Sequence, residues 1–170
     1  AAGASRRGGG GGRLTAEEAH RSLMAHLLDC ASAEYLFDLE FFGKFAAEVF
    51  EGVFSRTKQL ILETLENHLF TCHDAVGLLL LIRLTAAHRR LMQRRMVPAM
   101  DTLLDQISMM LWPRFKFVFD NHRNSVTSAR PRRPGGAGGA ALLPHQATRR
   151  YAELAAAVLT LCAPPPGADG

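Results

Sequence analysis

Apolar residues recur every three or four positions through most of this chain, and that spacing is typical of amphipathic α-helices. The first such stretch begins at Thr15, where Glu18 follows at the distance that a helix-capping box requires. The pattern predicts a helix with one apolar face. That face consists of Ala16, Ala19, Leu23, Leu27 and Cys30.

Residues 35–42 allow two interpretations. Apolar residues at alternate positions suit a β-strand, whereas the spacing of Tyr35, Leu39 and Phe42 suits a helix. The sequence contains no second strand-like segment with which a strand here could pair. We therefore expect a helix or a turn that ends near Gly43.

The stretch from Phe45 to Phe70 carries the clearest helical pattern. At 1.5 Å per residue it would be about 39 Å long, a length that is usual in helical rods and bundles. Its predicted apolar side consists of Val49, Phe50, Val53, Phe54, Thr57, Leu60, Ile61, Thr64, Leu65 and His68. Its predicted polar side consists of Glu48, Glu51, Ser55, Lys58, Gln59, Glu63 and Glu66.

A third helix is predicted from about Asp74 to Arg95. Its first half, from Val76 to Ile82, is apolar on all sides and should be buried on all sides. Its end carries arginines, which are favoured near the negative end of the helix dipole. These arginines are Arg89, Arg90, Arg94 and Arg95.

Two further helices are predicted in the C-terminal half of the chain. One begins at Pro98, and because its stripe stays in phase across Pro113 we expect a single bent helix. The stripe consists of Met100, Leu103, Leu104, Ile107, Leu111, Phe115 and Val118. The last helix spans about 145–162, with Tyr151, Leu154, Ala155, Val158 and Leu161 inward.

Composition marks the boundaries between these segments. Residues 1–13 are rich in Gly and Arg and predict a flexible tail, while 129–143 predict an exposed loop of Arg, Pro, Gly and Ala. A helical bundle segment then occupies 14–128, a C-terminal helix 144–162 and a second tail 163–170. We expect an all-α fold: an elongated bundle or rod segment of about five helices.

Composition and charge restrict the class of protein. Apolar residues make up 48% of the chain, which is enough for a core, and the net charge of +4 is only mildly basic. The three cysteines are far apart and odd in number, so we expect a reducing cytosolic compartment. The longest apolar run, Ala75 to Ile82, is shorter than the roughly 20 residues of a membrane span. The chain lacks an initiating Met, from which we expect a piece of a larger protein.

Cys72, His73 and Asp74 are consecutive and have the side chains of a catalytic triad. Neighbours on a helix point about 100° apart, so adjacent residues cannot align as nucleophile, base and orienting acid. We expect a helix junction, with Asp74 as a cap for the helix that follows. The chain is predicted not to be an enzyme.

Two His–Cys pairs have the spacing of metal ligands on one helical face. His26 and Cys30 are four residues apart, and so are His68 and Cys72, so that two helices could form a tetrahedral zinc site. Both histidines also lie at or beside apolar stripes, where a hydrogen-bonded core histidine is common. No cofactor or metal is predicted, although the sequence leaves open whether the pairs meet.

Five arginines are candidate contacts for a partner or a membrane. Three share one helical face, and two open the last helix. They could bind phosphate groups, an anionic membrane or an acidic protein, or they could be solvated surface charge. No aromatic stacking platform accompanies them, so nucleic acid is not predicted as a partner. The candidates are Arg83, Arg90, Arg94, Arg149 and Arg150.

Three stretches together resemble the suppressor-of-actin family of vacuolar protein sorting proteins. They are EYLFDLEFFG at 34–43, LWPRFKFVFDNHRNSV at 111–126 and PHQATRRYAEL at 144–154. The resemblance continues through the helices between them and covers roughly residues 24–160. The order and separation of the Leu-Trp-Pro-Arg-Phe and Thr-Arg-Arg-Tyr-Ala-Glu runs make it specific.

The resemblance implies a partial chain of a subunit of the Golgi-associated retrograde protein complex and of its endosomal-recycling relative. Such a subunit is a non-catalytic scaffold that assembles with other tethering subunits and engages Rab-class small GTPases and SNARE proteins. It would be cytoplasmic and peripheral at trans-Golgi network and endosome membranes. From the residues alone, a small basic helical nucleic-acid-binding protein is the alternative.

Overall fold

The computed structural model describes residues 14–128 and 146–163, which form five α-helices and no β-strand. The helices are α1 (Ala16–Phe42), α2 (Ala46–Thr71), α3 (Ala75–Arg95), α4 (Asp101–Thr127) and α5 (Gln146–Cys162). Two 3₁₀ turns, Gly43–Phe45 and Pro98–Met100, join α1 to α2 and α3 to α4. The all-α fold class and the number of about five helices are confirmed. None of these five helices combines the length and the hydropathy that crossing a membrane requires.

The ends of the helices follow local signals in the sequence. The capping box forms: the Glu18 backbone N–H donates to Thr15 Oγ1 at 3.2 Å, and the Thr15 N–H donates to Glu18 Oε2 at 3.0 Å. Residues 35–42, for which the sequence allowed helix or strand, are the last turns of α1. Gly43 then ends the helix at a φ of 57°, a left-handed conformation that favours glycine.

Four of the helices enclose a common core. α1 packs against α2 and α3, and α4 also packs against α2 and α3, so α2 and α3 occupy opposite corners although they are consecutive in the chain. α5 rests on α3, outside this ring of four. The predicted tails 1–13 and 164–170 and the predicted loop 129–143 lie outside the described residues.

The core is made of leucine, methionine, isoleucine, valine and alanine side chains with one phenylalanine. The predicted stripe of α4 is confirmed, and the helix continues through Pro113. In α3, burial on every side was predicted for residues 76–82. Val76 and Leu80 are only half-buried, and the other five residues of this range are buried. The largest fully buried side chains are Met24, Leu28, Phe50, Leu78, Leu81, Met92, Val97, Met100, Leu103, Leu104, Ile107 and Leu111.

The face predicted for α1 is wrong for most of its residues. Leu27 is buried, but Ala16, Ala19, Leu23 and Cys30 are exposed. The helix carries two apolar stripes, and hydrophobic spacing alone does not say which stripe faces the core. The core side of α1 is instead formed by Met24, Leu28, Ala31 and the half-buried Tyr35.

The stripe predicted for α2 is rotated from the true one. Val53, Thr57, Leu60 and Thr64 were predicted inward and are exposed. In α5, Tyr151 is likewise exposed rather than inward, because the helix packs chiefly on α3 and has only one covered side. The buried residues of α2 are Ala46, Phe50, Lys58, Ile61, Leu65 and Leu69.

Lys58 was predicted on the polar side of α2, yet only 8% of its surface is exposed. Its ammonium donates to Glu51 Oε2 at 2.5 Å and to the backbone carbonyl of Ala99 at 3.1 Å. It also lies 5.2 Å from the ring centroid of Phe50, within cation–π range. These contacts satisfy the buried charge and tie α2 to the turn before α4.

A second buried polar group consists of three histidines from three helices. His20 of α1, His68 of α2 and His88 of α3 each have a buried ring nitrogen without a hydrogen-bond partner among the described residues. Burial, followed by the charges of His88 and His68, lowers the pKa of His20 from 6.5 to about 4. Burial and then the charge of Arg21 lower the pKa of His88. His20 and His88 are therefore neutral in the folded chain at neutral pH.

Replacing Lys58 should destabilise the bundle. We expect Lys58→Ala to lower the free energy of unfolding by about 1–3 kcal/mol, since it removes two hydrogen bonds and leaves a gap beside Phe50. Lys58→Met should cost less because it keeps the apolar stem. Urea unfolding followed by circular dichroism measures both. Lys116→Ala, at an exposed lysine of α4, is the matched control and should change the free energy of unfolding little. An effect of Lys58→Ala as small as that of the control would contradict the stabilising role of Lys58.

The histidine cluster should make stability depend on pH. An unfolded histidine titrates near pH 6.5, whereas His20 in the folded chain titrates near 4, so between these values the unfolded state binds the extra proton. Stability is therefore complete above about pH 7.5 and falls as the pH drops toward 4, with a slope approaching about 1.4 kcal/mol per pH unit. Urea unfolding at several pH values measures this slope. His20→Gln should flatten it, whereas His122→Gln, at an exposed position, should not.

Candidate interaction surface

The arginines of α3 divide into those used within the bundle and those left on its surface. Arg83 is half-buried, and its guanidinium donates to the carbonyl of Ala163 at 3.4 Å, so it holds the end of α5. Arg89 forms an ion pair with Asp105, and Arg95 forms one with Asp29 at 2.7 Å. Arg90 and Arg94 are exposed and make no ion pair with another described residue.

The two arginines of α5 lie elsewhere. Arg149 is exposed and donates to Glu153 Oε1 at 3.0 Å, one turn further along the helix. Arg150 is exposed and lines a cavity that also contacts Val76, at the start of α3. From Val76 to Arg90 is fourteen residues (76 to 90), or about 21 Å of helix. The five predicted arginines therefore do not form one continuous surface.

The cavity next to Arg150 is a groove between α4 and α5. Its volume is about 650 Å³. Its basic side chains are Arg123 and Arg150, and its polar lining also includes His122 and Glu153, whose carboxylate is paired with Arg149. Its apolar side chains are Val76, Phe119, Val126, Tyr151 and Leu154. An apolar floor with a cationic edge suits an apolar side chain that lies next to an acidic group in a partner protein. This groove was not predicted from the sequence, because Tyr151 and Leu154 were expected to face inward.

Each residue of the Cys72–Asp74 run has a structural task at the junction between α2 and α3. The Asp74 carboxylate accepts from the backbone N–H of Val76 at 2.9 Å and caps α3. The carbonyl of Cys72 accepts two hydrogen bonds from the Arg114 guanidinium, at 3.0 and 2.7 Å. His73 Nδ1 lies 2.8 Å from the carbonyl of Thr71. The helix junction that the sequence predicted is therefore present.

The structure does not assemble the two His–Cys pairs into a metal site. His26 and Cys30 lie on the exposed side of α1, whereas His68 faces His20 and His88 inside the bundle. Within residues 14–128 and 146–163, no group of three or more His, Cys, Asp and Glu side chains is placed to hold a metal ion. The interior histidine cluster could not be predicted from the sequence, because its members are 20 to 68 residues apart (68 to 88, 20 to 88).

Comparison with known proteins identifies the family. The model of the family described as "Vps52, C-terminal" matches residues 9–166, which is nearly the whole chain. That match includes all five helices, the arginines of α3 and α5, and the groove between α4 and α5. No solved structure matches the chain.

Individual relatives agree with the family model. Vacuolar protein sorting-associated protein 52 homolog of Mus musculus is 38% identical over 152 residues, covering 88% of this chain and 21% of the relative. The Homo sapiens homolog is 37% identical over the same length, and protein 52 A of Arabidopsis thaliana is 40% identical over 143 residues, 83% of this chain and 19% of the relative. The chain thus spans about a fifth of the length of these relatives. It belongs to the Vps52 family and matches its C-terminal region.

Proposed function

We propose that this chain is a non-catalytic scaffold of a vesicle-tethering complex that acts in retrograde transport from endosomes to the trans-Golgi network. Membership of the Vps52 family carries the proposal, since the relatives are named for vacuolar protein sorting and match over most of the chain. The family resemblance found in the sequence adds the more specific assignment to the Golgi-associated retrograde protein complex.

The architecture supports a scaffolding role. Tethering requires stiff elements that present several weak binding patches far apart, because linked weak contacts gain strength through effective concentration. α1, α2 and α4 have 26 or 27 residues each and are therefore about 40 Å long. The exposed Arg90 and Arg94 and the groove beside Arg150 lie on different parts of this frame.

The chemistry proposed for these surfaces is binding without catalysis. The most reactive run in the sequence, Cys72 to Asp74, caps and joins helices. Partners of the scaffold are the other subunits of the complex, a Rab-class GTPase and SNARE proteins. The chain is proposed to be cytoplasmic and to lie at the surface of trans-Golgi network and endosome membranes, without a cofactor.

Affinity capture tests the proposal. The tagged full chain, expressed in cultured cells, should recover the other tethering subunits in amounts well above a tag-only control, as identified by mass spectrometry. A core variant, Ile107→Asp, should recover none, because a buried charge in the ring of four helices prevents folding. Recovery of no tethering subunit by the folded chain would contradict the proposal.

The arginines can be tested separately in the same cells. The double charge reversal Arg90→Glu with Arg94→Glu should weaken binding of the chain to Golgi and endosome membranes, measured by co-sedimentation, by about thirtyfold or more, since each lost positive charge costs about 1 kcal/mol. Capture of the other subunits should stay unchanged. Arg56→Glu, at an exposed arginine of α2, is the control. An equal loss of membrane binding in the double variant and in Arg56→Glu would contradict the role assigned to Arg90 and Arg94.

A further inference from the structure

α1 carries an apolar stripe on the side that faces away from the bundle. Its positions alternate at spacings of three and four residues from Ala16 to Phe37, and Phe41 extends it by one turn. Every position is exposed, including Leu23 at 50%, Phe37 at 53% and Phe41 at 72%. We name this stripe the outer seam. It consists of Ala16, Ala19, Leu23, His26, Cys30, Ala33, Phe37 and Phe41.

The outer seam is separate from the core of the bundle. Met24, Leu28 and Ala31, on the opposite side of α1, are completely buried and face α2 and α3. An ordinary surface helix needs only one such stripe and is polar on its other face. α1 therefore has the pattern of a helix that packs on two sides, and only one side is occupied in the described chain.

The spacing and the side chains of the outer seam suit another helix. Alternating steps of three and four residues average 3.5 residues, the period at which two helices stay in register along their length. The alanines and Cys30 are small and allow two helices to approach closely, while Leu23 and Phe37 provide larger side chains two heptads apart. From Ala16 to Phe41 the seam is about 38 Å long. At its end the rings of Phe37 and Phe41 stack with centroids 5.7 Å apart.

The charges beside the outer seam select the kind of helix. Between Ser22 and Phe42, α1 contains no Lys or Arg. Glu34 and Glu40 lie beside the seam and make no ion pair with another described residue, whereas Asp29 pairs with Arg95. A second copy of α1 would place these carboxylates against each other, and an anionic membrane would repel them. Lysines or arginines on the partner would instead be attracted.

We propose that the outer seam binds an α-helix of a second polypeptide, with apolar residues at the same spacing of three and four and with Lys or Arg at the flanking positions. This inference goes beyond the proposed function, because it follows from α1 itself and names the chemistry of a partner rather than a complex. Its test needs no other tethering subunit, so its failure is distinct from a failure of affinity capture.

A synthetic helix provides the probe. A fluorescent 28-residue peptide with Leu and Ala at the seam-facing positions and Lys at the flanking ones should bind the full chain, and fluorescence anisotropy measures its Kd. A matched peptide with Glu in place of Lys should bind at least tenfold more weakly. Leu23→Glu and Phe37→Glu should each weaken binding of the Lys peptide at least tenfold, whereas Met109→Glu, at a 74% exposed position of α4, should not.

The thiol of Cys30 gives a measurement that does not depend on the seam variants. In a chain with Cys72→Ser and Cys162→Ser, the Lys peptide should slow labelling of Cys30 by a maleimide at least fivefold. The proposal would be overturned if the two peptides bound equally or if neither bound. It would also be overturned if the Lys peptide left the labelling of Cys30 unchanged, or if Leu23→Glu left its binding unchanged. Two other results would overturn it as well: dimerisation of the chain, or its binding to anionic phosphatidylserine vesicles, if Leu23→Glu abolished that association.

Discussion

The packing of α3 against three other helices is the constraint on which the rest of this structure depends. Leu78 and Leu81 are almost completely buried, and each such leucine contributes about 1.5–3 kcal/mol relative to an exposed one. α1 and α4 both pack on α3, and α5 covers part of what remains. The first half of α3 is apolar on nearly all sides, so its sequence requires neighbouring helices to assemble around it.

Signals that act within one helical turn could be predicted from the sequence. The capping pair Thr15 and Glu18, the cap Asp74 and the first-turn Pro98 all have the predicted positions, because each involves residues at most three positions apart. The stripe of α4 was also correct, since its leucines and Ile107 recur at helical spacing on one side. Local patterns of this kind do not depend on the rest of the fold.

Features that join distant parts of the chain could not be predicted. Lys58 is buried because its ammonium reaches the carbonyl of Ala99, 41 residues away, and a helical wheel contains no such information. The inner side of α1 was misplaced because two stripes of similar hydrophobicity compete. Among the candidate contacts, the shared face of Arg90 and Arg94 follows from helical spacing, whereas the link from Arg83 to the end of α5 requires the packing of α5 on α3.

The position of α5 outside the ring of four helices has a mechanical consequence. It contacts chiefly α3, and its inward residues, such as Leu154 and Leu161, are only half-buried. Its release would break few contacts, so it is the helix whose detachment requires the least free energy. Detachment would uncover Val76 and Leu80 and open the groove beside Arg150 at the same time. A ligand that fills that groove would therefore also fasten α5. The free energy needed to detach α5 would then rise with the concentration of that ligand relative to its Kd.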